Sequence, residues 1–158
     1  MGLSEQEVAW LGEHHAAAMI TIGEDGMPKA VRVGVALIDG KVWSSGIQDR
    51  VRTPRLRRDP RCTLFVFDQA FAWLTLETTV TILDGDDAPS LNLQLFREMQ
   101  GKPEGPLSWF GGELDEPAFL ARMGRREPPD LRVRRAPQLW LGVARRAVRR
   151  RRTPSAQA

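Results

Sequence analysis

The stretch Arg50-Val51-Arg52-Thr53-Pro54-Arg55-Leu56-Arg57-Arg58-Asp59-Pro60-Arg61 holds the chain's clearest capacity for chemistry. It combines three devices for holding an anion. If the strand before it continues past Gly46, Arg50 and Arg52 lie two residues apart on one face, where two guanidinium forks can grip one phosphate. Pro54 disfavours helical geometry at Thr53 and is itself suited to the first helical position, so Thr53 is expected as the N-cap of a short helix. The free amides and positive dipole end of that helix would face the anion. Taken alone, such an arrangement accepts sulfate, phosphate or a carboxylate equally well, while Arg57 and Arg58 read as a solvated helix face.

Other chemistries lack their residues. The sequence contains no Walker or Rossmann glycine loop, no Cys-x-x-Cys and no His-Glu-x-x-His, so no metal is expected. His14 and His15 are adjacent, so on a helix they point about 100° apart and cannot chelate one ion. The lone Cys62 sits in the apolar run Cys62-Thr63-Leu64-Phe65-Val66-Phe67 and reads as a small core residue in a reducing compartment. Phe71, Trp73, Trp109, Phe110 and Trp140 could stack on a ring or form a substrate lid, but large aromatics in a small barrel are more often core, and none is assigned a role. Gly111-Gly112 falls in a long loop that suits either a mobile cover over a groove or a disordered segment.

These groups need a scaffold. The 158 residues, 42% hydrophobic and 27% charged, suit one domain with one core. The net charge of +3 is an uneven average: removing the six arginines of Arg145 to Arg152 turns it into −3. The reading is therefore a folded domain over 1–144 and a basic, flexible tail over 145–158. Charge confined to a terminus gives no reason to expect a nucleic-acid partner, and a tail that binds an anionic polymer or lipid surface ranks behind. The first residues lack a basic-then-apolar leader, and no apolar run approaches the roughly 20 residues needed to span a bilayer. A cytoplasmic protein with no membrane partner is expected.

The periodicities define the elements. Residues 4–18 read as a helix opened by the Ser4/Glu7 capping box. A strand over Ala18 to Gly23 follows, with a turn at Glu24-Asp25-Gly26. From Lys29 to Ile38, valines and a leucine alternate with small or charged residues, Asp39-Gly40 supplies a primed hairpin turn, and Lys41 to Ser45 returns. Two more strands are expected at 62–67 and 72–83, helices at 88–100 and 117–126, and closing strands at 131–134 and 138–143. Successive strands without room for crossovers imply an antiparallel barrel rather than a parallel doubly wound sheet.

The series Met19-Ile20-Thr21-Ile22, Asp25-Gly26-Met27-Pro28, Val31 to Ile38, Arg50-Val51-Arg52-Thr53 and Leu56-Arg57-Arg58-Asp59-Pro60-Arg61 resembles the pyridoxamine-phosphate-oxidase-like superfamily. Within it the likeness is nearest to the actinobacterial branch that uses the deazaflavin coenzyme F420. It covers residues 15–84 and, more weakly, 137–142. The resemblance implies a mainly β (α+β) fold, a six-stranded antiparallel split β-barrel of the FMN-binding type flanked by helices. It also implies a homodimer with coenzyme F420, or alternatively FMN, in a groove between subunits.

Carried over by position, Arg50, Arg52, Thr53 and Arg55 would hold the cofactor phosphate, and Val33 and Val35, with the strand from Cys62 to Phe67, would lie near the ring. Arg52 stands where that branch often has lysine, Arg55 where it has a small polar residue, and Thr78 near a common glycine, so Thr78 is expected to narrow the ring site. The substrate motif that true pyridoxamine phosphate oxidases carry at their carboxy terminus is absent. The implied activity is an oxidoreductase that passes hydride to a small electron-poor molecule, because in flavin chemistry the cofactor carries the reaction and the protein supplies position and field. The alternative is a non-catalytic flavin, deazaflavin or haem binding protein.

Overall fold

The computed structural model describes residues 3–47, 51–69 and 72–124, together with the backbone of 137–150. The element order is α1 (Glu5–Glu13), β1 (Ala16–Ile22), β2 (Pro28–Ile38), β3 (Lys41–Ile47), α2 (Arg52–Arg58), β4 (Arg61–Phe67), β5 (Trp73–Leu83), α3 (Ala88–Gln100), β6 (Leu107–Trp109), β7 (Gly112–Leu114), α4 (Glu116–Gly124) and β8 (Pro137–Arg150). Six strands close into an antiparallel barrel in the order β1-β2-β3-β8-β5-β4, and β6 and β7 form a separate hairpin.

Local chemistry explains most boundaries. Ser4 accepts from the Glu7 amide while the Glu7 carboxylate accepts from the Ser4 amide, so both halves of the capping box are present. α1 nevertheless ends at Glu13 rather than continuing to residue 18. Ala16 to Ala18 suit a helix by propensity, but here they alternate across a strand and send Ala17, Met19 and Thr21 into the barrel. Pairing with β2 on one side and β4 on the other overrides propensity. Asp39 and Gly40 both take positive φ, 50° and 72°, as a two-residue primed turn demands. Gly101 closes α3 in the left-handed conformation with φ 60°.

The barrel interior is one apolar cluster that includes Leu11, Met19, Val33, Val35, Val42, Leu64, Val66, Leu74 and Leu76. Leu56 of α2 belongs to it, so this short helix plugs one end of the barrel. α3 packs on the outside, where Leu95 meets Ala36, Ile38 and Trp43. Residues 145–150, expected to begin a flexible tail, instead extend β8 and pair along β5 as far as Trp73. The eleven-residue β5 needs a partner along its length, and β8 supplies it past a bulge at Glu77/Thr78. The expected strand at 131–134, residues 151–158 and Phe71 lie outside the described residues, as does the side chain of Trp140.

The split in the barrel is visible in the register. β2 and β3 pair only from Val35 to Ile38, against Ser44 to Lys41. The next pair would join Gly34 to Ser45. Instead the Ser44 hydroxyl donates to the Gly34 carbonyl at 2.8 Å. Arg52 Nη2 donates over 3.5 Å to the Ser45 carbonyl. Each carbonyl of the missing pair is thus met by a side-chain donor in place of a strand partner.

Candidate binding site

The seam between β2 and β3, with α2 beside it, is where the arginine-rich stretch meets the barrel. The geometry differs from the sequence expectation in two respects. Arg52 is helical, opening α2, rather than part of a strand continued from β3. Arg50 itself lies outside the described residues. Thr53 is not the cap: Val51 holds that position with helical φ −50° and ψ −26°, and no side chain caps the helix.

Thr53 is fully buried and turned into the protein. Burial at the barrel end thereby overrides the local preference that Pro54 sets up for residue 53. A seven-residue α2 also has only two turns of dipole to offer. The anion-holding capacity therefore rests on arginine side chains more than on helix amides.

Those arginines are sorted by their partners. Arg57 pairs with Asp84 at 2.9 Å and Arg58 with Glu24 at 3.1 Å, and Arg58 also donates to the Ile22 carbonyl at 3.0 Å. Arg61 forks onto Asp59 through Nε and Nη2 at 2.9 and 2.7 Å. That bidentate contact, with the Arg61 amide, lowers the Asp59 carboxyl to about 2. Arg52 is half-buried and contacts the seam carbonyl of Ser45. Arg55 is half-buried, and among the described residues no carboxylate pairs with it.

Val33 and Val35 are 6% and 0% exposed and face the barrel core. A ring on the outer surface would meet their neighbours Arg32 and Gly34 instead, because successive strand residues point to opposite faces. Thr78 likewise points inward, its hydroxyl donating to the Cys62 carbonyl at 3.0 Å, so it does not narrow an external ring site. Burial pushes the Cys62 thiol up to about 11, which makes it a core residue and a poor nucleophile.

The strand reading passed over an outer pocket beside the seam. Ala16 and Ala18 of β1, Ala30 and Arg32 of β2 and Phe67 of β4 line an apolar cavity of about 240 Å³. Phe65, Phe67 and Trp73 form an aromatic row on the same outer surface, with ring centroids 5.3 and 5.8 Å apart. The available signal was the small-residue side of the β1 and β2 alternation, which places alanines and glycine outside. Among the described residues no group of His, Cys, Asp or Glu could hold a metal ion, and no helix is long and apolar enough to cross a membrane.

Comparison with known proteins agrees with this architecture. A conserved hypothetical protein of Mycobacterium tuberculosis superposes with a TM-score of 0.68 at 21% identity, covering 93% of this chain and 84% of that one. An F420 reductase superposes with a TM-score of 0.65 at 15% identity, covering 92% and 98%. A Clostridium acetobutylicum protein related to general stress protein 26, of the pyridoxinephosphate oxidase family, gives 0.62 at 18% identity, covering 94% and 91%. At these identities the likeness shows the fold. No curated protein sequence matches the chain. The profile of the pyridoxamine 5'-phosphate oxidase family matches residues 3–116, most of the described barrel, and the chain therefore belongs to that family.

Proposed function

We propose that this chain binds a phosphorylated ring cofactor, coenzyme F420 or alternatively FMN, along the seam beside α2, and that it works as an oxidoreductase on a small electron-poor molecule. One observation carries the reading. In a stretch crowded with arginine, Arg57, Arg58 and Arg61 are closed by carboxylates, whereas half-buried Arg55 stands without one among the described residues. A half-buried guanidinium favours an anionic partner that accepts from its planar fork.

Arg52 and Arg55 hold the phosphate, joined by Arg50 from its place in the sequence. Thr53 locks the start of α2 against the barrel end. Val33 and Val35 shape the wall from within and reach the ring side only through their backbone. When bound, the reduced ring supplies the hydride that an electron-poor acceptor takes up. The protein positions that ring against the outer surface and shields it from water.

The cofactor groove is completed by a second copy. The aromatic row of Phe65, Phe67 and Trp73, with Phe67 53% exposed, suits burial against another chain. A small redox protein of this kind works in the cytoplasm.

The test is a titration of the protein with coenzyme F420, FMN and unphosphorylated riboflavin, followed by visible absorption. Arg55→Ala is expected to weaken binding of the phosphorylated cofactor about 10- to 100-fold and to leave riboflavin unchanged. Equal effects on FMN and riboflavin would remove Arg55 from the phosphate. Reoxidation of bound reduced cofactor no faster than by acceptor alone would leave binding without catalysis.

A further inference from the structure

The hairpin β6–β7 ends in a two-residue turn, Phe110-Gly111, in which both residues take positive φ, 42° and 83°. Glycine, asparagine and aspartate suit such a turn, and a bulky residue with positive φ is strained. Phe110 is also 94% exposed. Within its own chain this strained, solvated ring has one aromatic neighbour, Trp109, and most of its surface is left open, which points to a further contact outside the chain.

The ring is presented on a firm base. Gln100 at the end of α3 holds Ser108 by two hydrogen bonds, of 3.0 and 2.8 Å, and Lys102 lies 3.5 Å from Glu113. Trp109 packs on Phe96 and Phe119 and meets Phe110 edge-on at 5.1 Å. The hairpin is a fixed arm, so the expectation of disorder or a mobile cover at Gly111-Gly112 gives way to a turn held by side chains.

A receptor of matching chemistry is linked through α3 to the hairpin. Met99, the residue before Gln100, sits against Gly34, its sulfur 2.8 Å from where a Cβ would stand. Gly34 pairs with Ala16, a wall of the apolar cavity also lined by Ala18, Ala30 and Phe67. At about 240 Å³ the cavity has room for one phenyl ring. Because every copy carries both pin and socket, a two-fold axis lets each copy insert its pin into the other's socket, a closed contact made twice.

We infer that Phe110 of each copy seats in the Ala16/Ala18/Ala30/Phe67 cavity of a second copy and pins the dimer. This rests on the homodimer reading above and names the residues that make it specific. Phe110→Asn tests it without harming the fold, because asparagine suits the turn. Sedimentation of wild type and variant over a concentration series is expected to show a dimer whose dissociation constant rises about 100-fold or more in the variant. The melting temperature at low protein concentration, where the monomer prevails, should be no lower in the variant.

Under oxidation, the double variant Phe110→Cys with Ala18→Cys should cross-link between chains, and neither single variant should. A wild type that stays monomeric would sink the homodimer reading and this inference together. A dimer indifferent to Phe110→Asn, or cross-linking by Phe110→Cys alone, overturns only the pin. So does an unchanged dimer in which the variant loses binding to phospholipid vesicles, which would assign the ring to a lipid surface.

Discussion

The Ser44 hydroxyl donates to the Gly34 carbonyl at 2.8 Å where β2 and β3 part, so a side chain occupies the place of the next backbone pair. Ser44 itself is almost fully buried. Ser44→Ala is expected to cost about 0.5–1.5 kcal/mol, the net worth of one part-buried hydrogen bond. Urea unfolding measures it as a lowered midpoint with an unchanged slope. A variant as stable as the parent would show that this bond does not hold the seam.

Thr78 provides a second test, because its two possible roles predict opposite outcomes. Inside the barrel it bonds the Cys62 carbonyl just past the bulge of β5. Thr78→Gly would then destabilise the protein by about 2 kcal/mol, through the lost bond and the flexibility of glycine in a strand, and leave cofactor affinity unchanged. A variant of ordinary stability with tighter FMN or F420 binding would place this side chain at the ring after all.

The elements that were legible in the sequence are those fixed by near neighbours. Alternation from Val31 to Leu37 and the Asp39-Gly40 turn specify a hairpin locally, and Gly101 ends α3 by its own conformational freedom. Interactions across the fold settle what was not legible. Ala16 to Ala18 favour a helix until β2 and β4 flank them. The sorting of the arginines depends on Asp84 and Glu24, 27 and 34 residues from their partners. Local rules at Thr53-Pro54 are likewise overridden by burial against the barrel end. The crowding of arginine in this stretch is plain from composition, but which of them lacks a carboxylate partner among the described residues is not.

Cys62 gives the molecule an alkaline weakness. Its folded thiol is held up at about 11 by burial, against an ordinary 9.0, so the folded state keeps a proton that the unfolded chain releases. Stability from this group is complete below pH 9 and is lost as pH rises through 11, on the order of 2–3 kcal/mol in all. Denaturation midpoints between pH 8 and 11 should fall for the parent and fall less for Cys62→Ala. Alkylation of the thiol should proceed only at the rate at which the barrel opens. Rapid modification of the folded protein at pH 8 would contradict this.

Arg52 and Arg55 should separate cleanly when each is removed. Arg52 reaches the Ser45 carbonyl at the seam, so Arg52→Ala is expected to lose about 1 kcal/mol of stability together with affinity for a phosphorylated cofactor. Arg55, with no carboxylate partner among the described residues, should lose affinity alone. Arg57→Ala breaks an exposed pair with Asp84 and should change stability by no more than about 0.5 kcal/mol and affinity not at all. Arg52→Lys retains the charge but not the planar fork, so it should recover part of the affinity and little of the stability. Thermal melts and FMN titrations on the four variants together give the comparison. If Arg57→Ala weakens binding as much as Arg55→Ala does, the phosphate is attracted by the general field of the helix and not by one available guanidinium.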